Sequence, residues 1–251
     1  MKSINNYISE KLIINKDTGK KHYNYFPKTK DELRDIIKQR IEKEGNECNL
    51  NDIDVSEIDD MSYLFAQSNF NGDISEWDVS NVKNMHSIFD NSVFNQDISN
   101  WDVSNVKNMQ YMFLHSEFNG DISNWNVSNV ENMDHMFKSS NFNQDISNWD
   151  VSNVKDMWGV FSRAKFNQDI SNWNVSNVKD MNAMFYYSEF NKDISKWDVS
   201  NVKDMECMFY HSKFNQDISN WKININKTNI TDMFKGSPIA RRKKIHPKFI
   251  Q

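Results

Sequence analysis

The chain of 251 residues contains little cysteine, glycine and proline, and it has no long apolar run. Its two cysteines, Cys48 and Cys207, cannot form a disulfide framework and favour a reducing compartment. Six glycines and three prolines are too few for a low-complexity chain. No segment approaches the roughly 18 apolar residues that a membrane span requires. The first residues carry no apolar run of signal-peptide length and no lipid anchor, so the sequence as written predicts a cytoplasmic protein.

The chain also lacks an excess of positive charge, since 30 Lys and Arg residues stand against 35 Asp and Glu residues and the formal net charge is -5. Binding to nucleic acid needs clustered Lys and Arg, so this balance argues against a nucleic-acid partner. Hydrophobic residues make up only 38% of the chain, yet aromatic residues reach 13%. The core must therefore be built from a small number of large side chains.

The dominant feature is an internal repeat of 24 residues. Tryptophans follow this step without exception, at Trp77, Trp101, Trp125, Trp149, Trp173, Trp197 and Trp221. Two phenylalanine columns keep the same step, one from Phe70 to Phe214 and one from Phe65 to Phe209. A fixed period in this range is the signature of a solenoid or another repeat architecture.

One unit suggests how each repeat folds. Ile98, Trp101, Val103 and Val106 follow the spacing of leucine-rich repeats. Apolar Trp101 and Val103 flank polar Asp102, and this alternation predicts a short strand. Ser104 follows at the position where a helix N-cap is expected. Apolar residues from Val106 to Phe113 fall at helical spacing and predict a short helix. The predicted fold class is therefore an α/β repeat solenoid, a leucine-rich-repeat-like stack of strand-plus-short-helix coils.

The ends of the chain depart from the repeat, as capping segments do. Residues 12–14 and 23–26 flank a turn at residues 16–19, which predicts a hairpin, and Thr29 can cap a helix that runs to about Glu44. The predicted division is an N-terminal α+β cap at residues 1–45, a solenoid at 46–239 and a basic C-terminal tail at 240–251. A separate small N-terminal domain is the alternative to the cap.

The unit FNQDISNWDVSNVKNM at residues 94–109 resembles the BspA-like leucine-rich-repeat surface proteins, and more closely the branch first noticed in mycoplasma lipoproteins. The resemblance covers about residues 46–239. It implies a leucine-rich-repeat solenoid and, for many members, a role in adhesion or host interaction at the cell surface. It supplies no catalytic residues.

Two polar ladders also follow the repeat, and they have two interpretations. Aspartates recur from Asp73 to Asp217, and asparagines from Asn71 to Asn215. Rows of oxygen ligands could hold calcium. The preferred interpretation is turn chemistry, in which Asx side chains accept hydrogen bonds from backbone N–H groups.

Two surfaces are candidates for partner binding. The first is the polar strand face represented by Asp102 and Asp150, which is also consistent with a merely solvated edge. The second is the variable column after each predicted helix, where stacking in register would cluster Tyr186, Tyr187, Tyr210 and His211. Aromatic clusters of this kind are typical binding hot spots, although the rings could equally serve only to pack over neighbouring coils.

The histidines are scattered among the columns, so no nucleophile–base or metal-ligand set is predicted. The basic run at residues 241–244 could contact phosphate or act as a localisation signal, but it is also typical of a solvated terminus. The sequence therefore predicts a non-enzymatic scaffold that binds a protein and uses no cofactor, metal or small-molecule substrate. The alternative is a purely structural or decoy repeat protein with no specific partner.

Overall fold

The structure, a computed structural model, describes residues 22–251. Its named elements lie at the two ends of this range. Helix α1 spans Lys30–Glu44, strand β1 spans Lys222–Asn224, and strand β2 spans Lys248–Ile250. Two short 3-10 helices, Pro238–Arg241 and Lys243–Ile245, precede β2. Between α1 and β1 lies the repeated region, which consists of turns joined by single parallel β-bridges.

Helix α1 confirms the predicted helix that Thr29 caps and that runs to Glu44. The Thr29 side chain accepts a hydrogen bond from the Glu32 backbone N–H, and Gly45 at φ 91° ends the helix by donating to the Ile41 carbonyl. Leu33, Ile36 and Ile37 are buried against the first unit. Of the predicted hairpin, residues 12–14 and the turn at 16–19 lie outside the described residues. From its second half, Tyr25 forms a parallel bridge with Ile53.

The predicted strand and helix within each unit are wrong. No helix and no strand of more than one bridge occurs between residues 46 and 221. Ser104 is not a helix N-cap, because no helix follows it, and its backbone N–H donates to Asp102 Oδ1 in a turn. Apart from the bridge between Tyr25 and Ile53, the bridges fall on one Asx column, which runs through Asp60, Asn84, Asn108, Asn132, Asp156, Asp180, Asp204 and Asn229.

The segment that was predicted as a helix uses its backbone groups differently. The N–H groups of Met109, Tyr111 and Phe113 donate to the carbonyls of residues 132, 134 and 136 in the next unit. The intervening Met112 N–H closes a turn on Met109 O within its own unit. Because alternate N–H groups are committed to the neighbouring unit, the i→i−4 ladder of an α-helix cannot form.

Residues whose backbone adopts the left-handed conformation, with positive φ, make this arrangement possible. Tyr111 at φ 57° and His115 at φ 53° each occupy the third position of a tight turn. The same two columns have positive φ in every unit, at Tyr63, Gln67, Ser87, Asn91, Tyr111, His115, His135, Ser139, Gly159, Arg163, Ala183, Tyr187, Cys207, His211, Asp232 and Gly236. Each non-glycine residue in this conformation costs about 1–2 kcal/mol, so the bonds between units must offset a considerable strain.

The core is the predicted set of repeated columns, and all of these columns are buried from Phe65 to Trp221. Successive tryptophans stack nearly parallel, with ring centroids 6.4 Å apart for Trp77 and Trp101 and 6.5 Å for Trp125 and Trp149. The Phe89 column repeats at closer spacing, for example 5.7 Å from Phe89 to Phe113. Offset aromatic stacking adds to area burial, so each ring stabilises both neighbouring units.

Asx side chains close three turns in each unit. In one unit, Asp97 accepts from the Ser99 N–H, Asp102 from Ser104, and Asn108 from Gln110, at 2.9–3.0 Å. A second Asn series joins the units, since Asn95 N–H donates to Asn71 Oδ1 and Asn119 N–H to Asn95 Oδ1. These bonds follow the turn chemistry preferred for the Asp and Asn ladders.

The C-terminal segment packs on the last unit. Strand β2 pairs in parallel with β1, with Lys222 opposite Lys248 and Asn224 opposite Ile250. The Ile218 N–H also donates to the Ile245 carbonyl. Residues 241–244 remain exposed along this segment. Among the described residues, no helix combines the length and apolarity needed to cross a membrane.

Candidate partner-binding surface

The structure brings together the four residues Tyr186, Tyr187, Tyr210 and His211, which we call the aromatic cluster. Tyr186 stacks on Tyr210 with ring centroids 5.2 Å apart, and Tyr187 stacks on His211 at 5.0 Å. Edge and tilted contacts join the two pairs. Tyr187 is 43% exposed and His211 is exposed, whereas Tyr186 and Tyr210 are half-buried. The cluster therefore combines packing between units with an open outer surface.

Two cations contact the rings of the aromatic cluster. The Arg163 guanidinium carbon lies 5.3 Å from the Tyr186 ring centroid and 4.9 Å from that of Tyr187. Lys235 Nζ lies 5.6 Å from the Tyr210 ring and also pairs with Asp232 at 2.9 Å. Cations over aromatic faces are attracted by the ring electrons, so these contacts favour this arrangement of the rings. They also fix the rings between positive groups.

The backbone explains why His211 lies flat over the next unit. Tyr187 and His211 share a left-handed column, and the residue that follows them in this column is Gly236, at φ 76°. A Cβ at Gly236 would come within 2.5 Å of the His211 ring, so glycine leaves the space that the imidazole occupies. Gly159 does the same for the His135 ring, where a Cβ would lie 2.8 Å from Nε2.

A second run of rings, which we call the aromatic chain, was not predicted. It comprises Tyr63, His86, Tyr111, His135 and Trp158, with successive centroids 4.7–5.4 Å apart. Tyr63 Oη and His86 Nε2 lie 2.6 Å apart. Tyr63 is 56% exposed and Trp158 is 42% exposed. Sequence columns missed this run because His86 and Trp158 stand one position before the column that holds the other three residues.

An open depression connects the aromatic chain to the aromatic cluster. It has a volume of about 360 Å³, and its lining includes His135, Lys138, Trp158, Arg163, Asn182 and Tyr186. Trp158 and Tyr186 contribute rings, and Lys138 and Arg163 contribute positive charges. Its volume lies within the range of small-molecule and side-chain pockets.

Carboxylates lie beside this depression. Asp156 Oδ1 accepts from the Trp158 N–H at 2.9 Å, and Asp180 Oδ1 accepts from the Asn182 N–H at 2.8 Å. Burial raises the pKa of Asp156, and the nearby Asp134 raises it further. Burial also raises the pKa of Asp180, with added repulsion from Asp156 and Asp204. Like charges one unit apart disfavour ionisation of both groups.

The other predicted binding residues, Asp102 and Asp150, do not lie on a strand face. Both are exposed, but each holds a turn through its Oδ1 atom, Asp102 to the Ser104 N–H and Asp150 to the Ser152 N–H, both at 3.0 Å. Side-chain and backbone hydrogen bonds from these serines lower the pKa of both carboxyl groups. The structure does not bring them into contact with the aromatic cluster.

Comparison with known families shows where the chain belongs. The chain matches the sequence model of one protein family twice, over residues 33–141 and 138–246. This family is described as Mycoplasma protein of unknown function, DUF285. These two matches cover most of the chain, so this tandem-repeat protein belongs to that family. No curated protein matches the chain. No solved structure matches it either.

Proposed function

We propose that the chain is a non-enzymatic scaffold that binds another protein through the aromatic cluster. Its units would form a solenoid related to the BspA-like leucine-rich repeats, and adhesion would be one use of such a surface. The observation that carries the proposal is the convergence of Tyr186, Tyr187, Tyr210 and His211 from neighbouring units, with Tyr187 43% exposed.

The distribution of fixed and variable residues supports this function. Core columns such as Trp149 and Phe161 are determined by packing, so they cannot distinguish one partner from another. The outward left-handed column instead changes from Asn91 to Arg163 to Tyr187. Interface energy concentrates in a few aromatic and arginine side chains, which are the residue types collected here.

A capture experiment with the full chain tests this proposal. The immobilised protein is exposed to an extract of the organism that carries the gene, beside two variants. The first combines Tyr187→Ala with Tyr210→Ala, and the second combines Asp102→Asn with Asp150→Asn. The second variant preserves the turns, because Asn126 already accepts the same bond from the Ser128 N–H.

A protein retained by the wild type and the Asp variant, but lost from the Tyr variant, is the expected result. Equal retention by all three chains, or retention of nothing, would contradict the proposal and favour a purely structural repeat. A partner that is lost only from the Asp102 and Asp150 variant would place the binding surface at the Asx turns and would also contradict the proposal.

A further inference from the structure

We propose that the depression between Trp158 and Tyr186 is a binding site for an acidic peptide segment that carries an aromatic or large apolar side chain. This inference rests on the proposed protein-binding function and specifies the chemistry of the partner. The depression brings two rings and two cations together in a chain whose net charge is -5.

The rings provide the apolar part of the site. Trp158 is 42% exposed, whereas the seven tryptophans of the repeat are only 2–4% exposed. Its ring is held at one edge by His135, with centroids 4.7 Å apart. Tryptophan is one of the residue types that are enriched among the residues contributing most to protein interfaces.

The cations provide the acidic specificity. Within residues 22–251, neither Lys138 nor Arg163 forms an ion pair. Arg163 is exposed and lies against the Tyr186 and Tyr187 rings. A guanidinium has five N–H donors, so one that lies near aromatic rings without an ion-pair partner can still bind a carboxylate through two hydrogen bonds.

Charge also sets the orientation of the ligand. Asp156 and Asp180 accept hydrogen bonds from the backbone N–H groups of Trp158 and Asn182 but do not line the depression, whose charged lining residues are Lys138 and Arg163. A carboxylate is therefore directed toward Lys138 and Arg163, and the ligand's ring is directed toward Trp158. A purely acidic ligand would gain only the first of these contacts.

The test uses the full chain and a random copolymer of glutamate and tyrosine as the probe. Binding is followed by calorimetry and by protection of Trp158 fluorescence from acrylamide, since the other seven tryptophans lie in the core. Polyglutamate tests the ring requirement, and a lysine–tyrosine copolymer tests the charge requirement. We expect the glutamate–tyrosine copolymer to bind at least tenfold more tightly than either control polymer.

Residues at equivalent positions of other units supply the variants. Trp158→Asn introduces the residue found at Asn182, and Arg163→Gln introduces the residue found at Gln67. Each should weaken copolymer binding at least tenfold without lowering the melting temperature. Lys165→Gln removes one charge from an exposed site in the same unit and should leave binding unchanged.

Two outcomes would overturn the inference. The first is no binding of the copolymer to the wild type. The second is equal weakening by Arg163→Gln and Lys165→Gln, which would show a diffuse charge effect. If either outcome is found while the Tyr187 and Tyr210 variant still loses the captured partner, the proposed site for an acidic peptide is rejected. The proposed protein-binding function then remains supported.

Discussion

The indole N–H of Trp149 donates a hydrogen bond to the backbone carbonyl of Ile122 in the preceding unit, at 3.0 Å. All seven repeat tryptophans make the equivalent bond, at 2.9–3.1 Å. Each indole therefore joins two units by a polar contact as well as by ring stacking. Stability of the repeated region should depend on contacts between neighbouring units.

Replacing Trp149 with Ala should destabilise the chain by about 3–5 kcal/mol, because a large buried ring is removed. The loss should appear first in the adjoining units. Hydrogen exchange followed by mass spectrometry measures this directly. Trp149→Phe is the matched control, since it keeps a ring but removes the indole donor from the Ile122 carbonyl, which retains the bond from the Trp125 N–H, and it should cost less. Uniform loss of protection from residue 46 to residue 221 would contradict stabilisation between neighbours.

A glycine substitution distinguishes the observed turn from the predicted helix. Ala183 has φ 51°, a conformation that Gly adopts without strain. Ala183→Gly should therefore leave the melting temperature unchanged or raise it, whereas in a helix interior it would cost about 1 kcal/mol. Gly159→Ala should destabilise, because its Cβ would meet the His135 ring. A clear loss of stability in Ala183→Gly would contradict the left-handed turn.

Asp180→Asn should stabilise the chain at neutral pH. Burial and neighbouring carboxylates raise the folded-state pKa of Asp180, so the native state binds this proton more tightly than the unfolded chain. The contribution of this carboxyl group to folding stability is therefore full below its unfolded-state pKa of about 3.8. It is lost as the pH rises through the raised pKa of the folded state. The Asn variant lacks this loss, and Asn132 shows that an amide can hold the same turn.

Melting temperatures at several pH values test that prediction. The advantage of Asp180→Asn should be absent below the unfolded-state pKa and should grow as pH rises. Asp169→Asn is the control, because hydrogen bonds from Ser171 lower the pKa of Asp169 and favour its charged form. A variant that is no more stable than the wild type at neutral pH would contradict the burial argument.

Chelation tests the interpretation of the Asp ladder. Asp121 Oδ1 accepts from the Ser123 N–H at 2.9 Å, and this bond needs no metal ion. Adding EDTA should leave the melting temperature unchanged, as determined by calorimetry with and without added calcium. A fall that calcium restores would support the alternative in which the ladder binds this ion.

The core was predictable from the sequence, but the path of the backbone was not. Trp149 and Val151 are buried because each recurs in a column that must be apolar in every unit. Met109, Met112 and Phe113 have helical spacing, but two consecutive turns bring the same three side chains inward. Tight turns with a left-handed third residue normally carry Gly or Asn there, and Tyr111 and Ala183 give no such signal.

The candidate site was predictable only in part, for a related reason. Tyr187 and His211 occupy one column, so in-register stacking predicts their contact. Tyr63 and His86 occupy adjacent columns, and their contact depends on side-chain direction, which sequence alignment of the units cannot supply. Arg163 and Trp158 stand out only when the depression between them is known.

Calorimetry on the double variant Tyr187→Ala and Tyr210→Ala, with the partner identified by capture, tests the central claim most directly. We predict a loss of more than about 2 kcal/mol in binding, which corresponds to roughly 30-fold in Kd. Neither Tyr187 nor Tyr210 belongs to the buried core cluster, so the melting temperature should fall far less than in Trp149→Ala. Unchanged affinity would contradict the claim, and lost affinity with a collapsed melting transition would show that the rings serve only the fold.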